Sequence, residues 1–423
     1  MVSIQKVELA GECFIISKRK TIVSLDIGSN KIKAAVAEVY NGQDLSILGI
    51  SQVPSAGVKK GQIVDIESNA RAIDTCLNEL ERLSGVEILS ALLGFSGTSV
   101  AALNNHAVVA VSNPNYEINQ DDKERVLQSA RSIALPPDKN IIQTIERQYI
   151  VDGFDGVKDP VGMVGSRLEA EVTIVIAATA AIQNIQRSAA RINLHINQVV
   201  YNPLLAAEAV LSPTEKEMGV ILLDIGAGTT EISVFQEGSL SYTAVIPVGD
   251  EYITKDLAIV LRTSMEEAAR IKETSGVAAP AMASDEVTVS VKNLQGKDGK
   301  QVSQQMIAEI INARLLEIME MVYEELQQFG DWDKIPGGIV VTGGGAELNG
   351  LCEFMELTFN VPVRLGVPEN VRGIATDVNR AHNAAVLGGL LFAARNASVN
   401  YQESKGLTDI WTRLNDWFKD LFR

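Results

Sequence analysis

The chain has 423 residues, of which 46% are hydrophobic and 21% charged, a composition typical of globular proteins and long enough for about two to four domains. Its 53 acidic and 37 basic residues give a formal net charge of −16, which argues against a general nucleic-acid-binding protein because such a surface repels phosphate backbones. Three widely separated cysteines, Cys13, Cys76 and Cys352, fit a reducing compartment and exclude a zinc site built from cysteines alone.

The sequence predicts neither a secretory signal nor a membrane-spanning helix. The N-terminal stretch has Glu8 and Glu12 in its apolar part and basic residues after it, the reverse of a signal peptide. The longest apolar runs, 172–182 and 384–394, are shorter than the roughly 20 residues that a helix needs to cross a bilayer. We therefore expect a cytoplasmic chain that lies on a membrane if it meets one.

The first strong pattern is an apolar, β-rich run that stops at Asp26-Ile-Gly-Ser-Asn and continues as a second alternating run, all within residues 21–39. This pattern predicts a strand, a tight turn and a second strand. It returns in residues 219–235, around Asp224-Ile-Gly-Ala-Gly. The repeat indicates two related lobes.

Between the two hairpins, residues 88–171 have the pattern of short strands around one helix, which predicts a small α+β insertion. The predicted strands cover residues 107–111, 141–149 and 167–176, and the helix follows Asp122.

The last third of the chain alternates between helical and strand patterns. Helices are predicted at 252–259 and 264–274, a polar hairpin near Gly296, and a long helix at about 303–329 whose apolar residues recur at spacings of three and four. The run GGIVVTGGG at 337–345 predicts a buried strand that ends in a glycine turn and opens a helix. Such alternation favours mixed sheets covered by helices.

Three glycine-rich turns are the candidates for chemistry. Glycine lets backbone N–H groups approach a ligand and point at it, which suits phosphate oxygens. Two facing hairpins would clamp a polyphosphate, and the third turn would add the N-terminus of a helix with its positive dipole end. Asp26 and Asp224 would hold a hard divalent cation through water. The turns are Asp26-Ile-Gly28-Ser29-Asn30, Asp224-Ile-Gly226-Ala-Gly228-Thr229-Thr230 and Gly343-Gly344-Gly345.

Other kinds of site are less well supported. Either Asp-x-Gly alone is more often an ordinary hairpin turn, and only the three turns together favour a phosphate site. The sequence has no GxxxxGK[ST] loop and no strand-linked GxGxxG, so neither a P-loop nor a dinucleotide fold is indicated. His106, His195 and His382 share no metal-ligand spacing and are interpreted as structural.

These motifs, in this order, resemble the actin, Hsp70 and sugar-kinase superfamily, and in detail the bacterial FtsA family of cell-division proteins. The closer likeness lies in DIGSNKIKAAVAE from Asp26, VPSAGVKKGQIVDIE from Val53, LLGFSGTSV from Leu92 and IVVTGGGAELNGL from Ile339. It covers residues 21–423. It implies an α/β, actin-like two-lobed ATPase fold: duplicated ribonuclease-H-like lobes, an inserted small α+β subdomain and a C-terminal amphipathic helix.

The resemblance also implies a division of the chain into lobes and subdomains. In chain order, the implied parts are an N-terminal extension (1–20), lobe 1 (21–87), the inserted subdomain (88–171), lobe 1 continued (172–199), lobe 2 (200–249), subdomain 2B (250–330), lobe 2 continued (331–372), a return helix of lobe 1 (373–395), a linker (396–405) and the amphipathic helix (406–423).

An ATP site with Mg²⁺ between the lobes follows from the same resemblance. Lys31 or Lys33 would point at phosphate, and Asp224 would lie near magnesium and the attacking water. Lys272 falls where a nucleotide-contacting helix residue sits, although a solvated helix lysine is an equal alternative. The residues that match the first phosphate loop are Asp26, Gly28, Ser29 and Asn30; those of the second are Asp224, Gly226, Gly228, Thr229 and Thr230; those of the adenosine motif are Gly343, Gly344 and Gly345.

One departure from the family pattern concerns catalysis. Chaperone-type relatives have a glutamate before a proline to position water, whereas this chain has Asn202 before Pro203. An amide can orient water but cannot act as a carboxylate base. We therefore expect at most weak hydrolysis, with nucleotide setting conformation or assembly.

The C-terminal segment has apolar residues at spacings of three and four with charged residues between them, which predicts an amphipathic helix with one wide apolar face. Two of the three tryptophans lie in it, which suits a membrane interface. A helix docked on the chain's own core or on a partner is the alternative. The predicted membrane-binding residues are Leu407, Ile410, Trp411, Leu414, Trp417, Phe418, Leu421 and Phe422.

The function implied by the resemblance is that of an ATP-binding cell-division protein. It would self-assemble into filaments on the cytoplasmic membrane face at the division site, tether the tubulin-like protein FtsZ and recruit later division proteins. The C-terminal peptide of FtsZ would bind subdomain 2B, with Lys300 and Arg314 as contacts, although a structural ion pair is the alternative for Arg314. A PilM-like type IV pilus adaptor and a small-metabolite kinase of the same fold are the competing functions.

Overall fold

The computed structural model describes residues 20–40, 44–284, 286–296, 298–369, 371–373 and 378–396. In chain order the strands are β1 (Lys20–Ile27), β2 (Lys31–Tyr40), β3 (Asp44–Pro54), β4 (Val58–Lys59), β5 (Gln62–Ile63), β6 (Ser90–Phe95), β7 (Ala101–Ala110), β8 (Lys139–Val151), β9 (Phe154–Val157), β10 (Arg167–Ala178), β11 (His195–Tyr201), β12 (Val220–Ile225), β13 (Thr230–Gln236), β14 (Ser239–Ile246), β15 (Thr288–Lys292), β16 (Asp298–Ser303), β17 (Ile339–Thr342), β18 (Val363–Leu365) and β19 (Arg372–Gly373).

Helices cover the sheets, as the alternating pattern predicts. They are α1 (Ile66–Ser84), α2 (Gln120–Arg131), α3 (Thr179–Arg191), α4 (Asn202–Val210), α5 (Pro213–Met218), α6 (Glu251–Leu261), α7 (Met265–Ser275), α8 (Gln304–Phe329), α9 (Leu351–Phe359) and α10 (384–396). Single 3₁₀ turns lie at Pro280–Met282, Trp332–Lys334, Gly345–Glu347 and Ala381–Asn383.

Two sheets share one topology, which confirms the predicted duplication. The sheet of lobe 1 has the order β11-β6-β1-β2-β3-β19, and that of lobe 2 has the order β14-β13-β12-β17-β18. In each, three antiparallel strands are followed by strands that pair in parallel: β6 and β11 in lobe 1, β17 and β18 in lobe 2.

The insertion forms a sheet of its own, β7-β10-β8-β9, on which α2 packs. Helix α2 begins behind Asn119, whose side chain accepts a hydrogen bond from the backbone N–H of Asp122 in a reciprocal capping box. The predicted start of the insertion at residue 88 is too early. Strand β6 pairs in parallel with β1 and β11 and therefore belongs to lobe 1.

Two large apolar clusters stabilise the lobes, and the cluster centred on lobe 1 also includes Val220, Leu222 and Val340 from strands of lobe 2. In lobe 2 the long helix α8 is capped by Ser303. It buries Ile307, Ile311 and Leu315 in the apolar core of that lobe, as the spacing of its apolar residues predicts. In lobe 1, α10 packs on β1, β2 and β3 and buries Leu387 and Leu390 completely, which stabilises the fold by about 1.5–3 kcal/mol for each side chain. The chain therefore returns to the first lobe at residues 384–396.

Candidate functional site

The first two glycine turns face each other across the junction of the lobes. Each closes with a backbone hydrogen bond: Gly28 N donates to Lys31 O at 3.1 Å, and Gly226 N donates to Thr229 O at 2.9 Å. A Cβ atom on Gly228 would lie only 2.6 Å from Ser29 Oγ. The two turns are therefore in contact.

The third glycine turn lies against the second. Gly343 has φ +86°, and a Cβ there would lie 2.2 Å from Asp224 Oδ1, so glycine is required by both conformation and space. One part of the prediction is wrong, because the turn leads into a 3₁₀ turn of three residues, Gly345–Glu347, while α9 begins only at Leu351. The predicted helix dipole is absent, and any phosphate or ribose contact must come from individual N–H groups.

Two aspartates lie at the ends of the strands that lead into the turns. Asn202 Nδ2 donates a hydrogen bond of 2.9 Å to Asp26 Oδ1. Burial raises the pKa of Asp26, and Lys33 and Asn202 oppose that shift. Burial and the neighbouring Asp26 together raise the pKa of Asp224 to about 6. The pair is thus a concentration of negative charge that a cation would relieve.

The structure distinguishes the two candidate lysines of β2. Lys31 is exposed, whereas Lys33 is 8% exposed and donates from Nζ to the carbonyl oxygen of His382. Burial lowers the pKa of Lys33, against the stabilising charges of Asp26 and Asp224. Lys33 is therefore the lysine that shares the aspartates' environment.

A further acidic residue, Glu231, was not found from the sequence. It is the cross-strand partner of Asp224 and only 6% exposed. Ser96 and Thr229 donate to its Oε1, whereas its Oε2 is buried without a partner. Burial and Asp224 raise the pKa of Glu231 to about 8. The sequence does contain a signal for Glu231. It follows Asp224 by seven residues, the same spacing that separates Lys33 from Asp26 in the first hairpin.

Other predicted residues lie around the turns in less direct ways. Thr230 Oγ1 donates to Val248 O at 2.9 Å and so connects the second turn to the segment that follows β14. Lys272 forms an ion pair with Asp250, whose backbone N–H donates to Gly226 O at 2.9 Å. Lys272 is therefore linked to the second turn through Asp250 rather than being a solvated lysine.

A magnesium ion fits this site only through water and phosphate. In the described parts of the chain no three His, Cys, Asp or Glu side chains are grouped closely enough to bind a metal ion by themselves. The donors here are the carboxylates of Asp26 and Asp224, with Asn202 Oδ1 and Glu231 Oε2 as buried oxygen atoms without partners. Oxygen donors of this kind suit Mg²⁺, which retains much of its water.

Two of the three histidines contact carboxylates distant in sequence. His382 Nδ1 lies 2.8 Å from Glu347 Oε1, and His106 Nε2 lies 2.7 Å from Glu169 Oε2. Although burial raises it, hydrogen bonds from His382 and Arg380 lower the pKa of Glu347 to about 2. Both histidine–carboxylate pairs connect segments that are distant in sequence, which agrees with the interpretation of these histidines as structural.

Comparison with known proteins identifies the family. The model of "Cell division protein FtsA" matches residues 221–388, and that of "SHS2 domain inserted in FTSA" matches residues 97–176. The cell division protein FtsA of Pseudomonas aeruginosa is 36% identical over 412 residues, which cover 95% of this chain and 98% of that protein. The chain belongs to the FtsA family of cell division proteins.

Solved structures show that this FtsA-family chain has an actin-like ATPase fold. The type IV pilus biogenesis complex PilM–PilN matches with a TM-score of 0.62 at 16% identity, over 88% of this chain and 98% of that chain. MreB5 of Spiroplasma citri bound to ADP matches with a TM-score of 0.54 at 14% identity, over 90% of this chain and 98% of that chain. At such identities the likeness concerns the fold alone.

The two residues predicted to bind partners lie on β16 and α8, in the segment 250–330 that the resemblance assigns to subdomain 2B. Lys300 is exposed on β16. Arg314 donates to both oxygens of Asp256, at 2.6 and 3.1 Å, and also to Glu317. The structural ion pair considered for Arg314 is therefore present.

The predicted membrane-binding residues of this FtsA-family chain, from Leu407 to Phe422, lie outside the described residues. Over the ranges that the structure covers, none of the helices combines the length and the apolar character needed to cross a bilayer.

Proposed function

We propose that this FtsA-family chain binds Mg-ATP between its lobes and uses it to control assembly of a membrane-bound adaptor of the division machinery. The observation that carries the proposal is the convergence of three glycine turns, in which Gly228 abuts Ser29 and Gly343 abuts Asp224. Glycine turns from both lobes therefore meet at one place, and free backbone N–H groups of such turns suit a polyphosphate. The structure of MreB5, which has the same fold, contains ADP.

The residues between the turns have complementary roles in this proposal. Lys33 would compensate phosphate charge, and Asp26 with Asp224 would hold water molecules of Mg²⁺, which supplies positive charge to the phosphates when bound. Asn202 holds Asp26 through its amide and cannot accept a proton as a carboxylate does. We therefore expect hydrolysis slower than the roughly 1–10³ s⁻¹ typical of enzymes, so that bound ATP persists as a signal.

Equilibrium binding of a fluorescent ATP analogue, with and without Mg²⁺, tests the nucleotide site. Saturable binding that unlabelled ATP competes away and that weakens without Mg²⁺ is expected. Fluorescence that does not change over a wide range of protein concentration contradicts the proposal.

Membrane attachment rests on the amphipathic pattern of residues 406–423. Liposome co-sedimentation of the full chain and of a chain ending at Ser404, each with and without Mg-ATP, tests it. We expect binding that vanishes with the tail and strengthens with ATP, because assembly multiplies anchors and raises avidity. Equal recovery of both proteins in the supernatant contradicts it.

Tethering of FtsZ would use subdomain 2B. Lys300 is exposed there, and the charge of Arg314 is already engaged by Asp256, so Lys300→Glu should weaken binding of an FtsZ C-terminal peptide. Lys334→Glu is the control. Lys334 is exposed and follows the far end of the 26-residue helix α8, which is about 39 Å long. Equal affinity of both variants contradicts the assignment.

A further inference from the structure

The two lobes are joined by a side-chain hydrogen bond next to the glycine turns. Ser96 follows β6 in lobe 1, and Glu231 lies on β13 in lobe 2. Ser96 Oγ donates to Glu231 Oε1, and Thr229 Oγ1 donates to the same oxygen at 3.4 Å. One carboxyl oxygen thus accepts hydrogen bonds from both lobes.

The loop that carries Ser96 is fixed to the first glycine turn. Gly61 packs so closely on this loop that a Cβ on Gly61 would lie 2.8 Å from Gly97 Cα. Gly61 N in turn donates to Ser29 Oγ at 3.0 Å. The position of Ser96 therefore moves with that of the first turn.

The acceptor is fixed to the second turn in the same way. Glu231 directly follows Thr229 and Thr230, and its cross-strand partner is Asp224. The distance between Ser96 and Glu231 therefore reports how closely the two glycine turns approach each other.

We propose that Glu231 is a positioning residue that latches lobe 2 to lobe 1 through Ser96 and so holds the glycine turns closed over bound nucleotide. This inference rests on the proposed nucleotide site. Neither residue needs to touch the phosphates, because the latch acts on the separation of the turns that surround them.

The surroundings of Glu231 couple this latch to the ligand. Its Oε2 is buried without a partner, and its cross-strand partner is a second acidic residue, Asp224. Closure without a ligand therefore leaves a buried oxygen unsatisfied and concentrates acidic groups. A nucleotide that arrives with Mg²⁺ and its water supplies both positive charge and a hydrogen-bonding partner for this oxygen, and closure becomes favourable.

The latch predicts a specific kinetic effect in the full chain. In stopped-flow displacement of a fluorescent ATP analogue, Ser96→Ala should release nucleotide roughly three- to tenfold faster, the range expected for loss of one hydrogen bond. The association rate should stay unchanged, because the open cleft admits the ligand before the latch forms. Ser96→Thr, which keeps the hydroxyl, should restore slow release.

Thr98→Val is the matched control. Thr98 lies on the same loop, and its Oγ1 accepts a hydrogen bond of 3.0 Å from Gln62 Nε2 within lobe 1. That variant loses a hydrogen bond of the loop without touching the contact between lobes, so release should match that of the unmodified chain.

A double variant tests whether the two residues act through the same contact. Ser96→Ala combined with Glu231→Gln should release nucleotide no faster than the faster of the two single variants, because both changes disrupt the same hydrogen bond.

The outcomes separate the latch from the site. If the unmodified chain binds nucleotide and Ser96→Ala releases it at the unmodified rate, the latch is wrong and the nucleotide site stands. If Thr98→Val and Ser96→Ala accelerate release equally, the effect comes from the loop and the latch is again wrong. If the unmodified chain binds no nucleotide, the proposed function falls and the latch with it.

Discussion

Lys33 and Glu231 occupy equivalent places in the two facing hairpins. Lys33 pairs across the strands with Asp26, and Glu231 pairs with Asp224. The duplicated hairpins therefore present a lysine on one side of the cleft and a carboxyl group on the other. A ligand that enters between them meets a lysine from lobe 1 and a carboxyl group from lobe 2, so the repeat has acquired two different chemical roles.

Replacement of Lys33 tests the cationic side. Lys33→Met keeps most of the buried side-chain volume but removes the charge beside Asp26 and Asp224. We expect ATP affinity to fall about 10–100-fold, because a hydrogen bond to a charged group contributes about 1.5–3 kcal/mol. Lys31→Met should change affinity less than about twofold, since the exposed side chain of Lys31 is screened by water. Equal losses for both variants, in a fluorescence titration, would contradict this assignment.

A second prediction concerns Asn202. Asn202→Asp replaces the donor to Asp26 with a third carboxylate next to Asp26 and Asp224. The free energy of unfolding should fall by about 1–3 kcal/mol through the lost hydrogen bond and charge repulsion, and added Mg²⁺ should recover part of that loss. Denaturant unfolding with and without Mg²⁺ measures both effects.

The control for that variant is Asn197→Asp. Asn197 is exposed on β11 and donates to Ser90 Oγ at 3.2 Å. Its replacement should change the free energy of unfolding by less than about 0.5 kcal/mol, as for most surface substitutions. An Asn202→Asp variant as stable as Asn197→Asp would mean that Asp26 does not depend on the amide.

The sequence predicts those features of the fold that depend on local patterns. The alternation around Asp26 and Asp224 predicts both hairpins, and the spacing of apolar residues predicts α8 almost to the residue. Local patterns do not predict features that depend on contacts between residues far apart in the sequence. Glu231 accepts a hydrogen bond from Ser96 of the other lobe, and Arg314 is engaged by Asp256 of a different helix.

The third glycine turn shows the same limit in another form. The run Gly343-Gly344-Gly345 predicts a turn, and the turn is present. The sequence does not show that the contact with Asp224 requires a left-handed Gly343, or that Gly350, with φ +77°, separates the 3₁₀ turn from α9. Conformation is set there by tertiary contacts, so the helix N-terminus expected from the pattern is displaced.

A third prediction concerns how the stability that α7 contributes depends on pH. Arg270 donates to both oxygens of Glu267, at 2.8 and 2.7 Å, and lowers the pKa of Glu267 to about 2. A lowered folded-state pKa contributes stability above the unfolded value near 4.5, and this contribution is lost as pH falls towards 2. At pH 7, Glu267→Gln should therefore lower the free energy of unfolding by about 1–2 kcal/mol.

Unfolding as a function of pH provides the check. The difference between the unmodified chain and Glu267→Gln should shrink as pH falls from 4.5 to 2. Glu266→Gln is the matched control, since Glu266 occupies the same first turn of α7 but is exposed. A difference that stays constant with pH would show that Glu267 acts through its shape rather than its charge.

The last prediction tests contact between the glycine turns. Gly228 does not have a positive φ, so an alanine there is strained only by its neighbours. Its Cβ would lie 2.6 Å from Ser29 Oγ, 3.0 Å from Ser29 Cβ and 3.1 Å from Lys60 Cα. Gly228→Ala must therefore push Ser29 away from Gly61 and hold the turns apart.

We expect Gly228→Ala to weaken ATP binding about tenfold or more, because misplaced N–H groups no longer converge on the phosphates. Adding Ser29→Gly removes both contacts with Ser29 and leaves only the contact with Lys60, which is within reach of a small backbone shift. The double variant should therefore bind ATP more tightly than Gly228→Ala alone. If Gly228 and Ser29 contributed independently to ATP binding, the second substitution would lower the affinity further, so a recovery of affinity indicates crowding between the turns. Affinities that fall further in the double variant would mean that Ser29 binds the phosphates directly and that crowding between the turns does not set the geometry of the site.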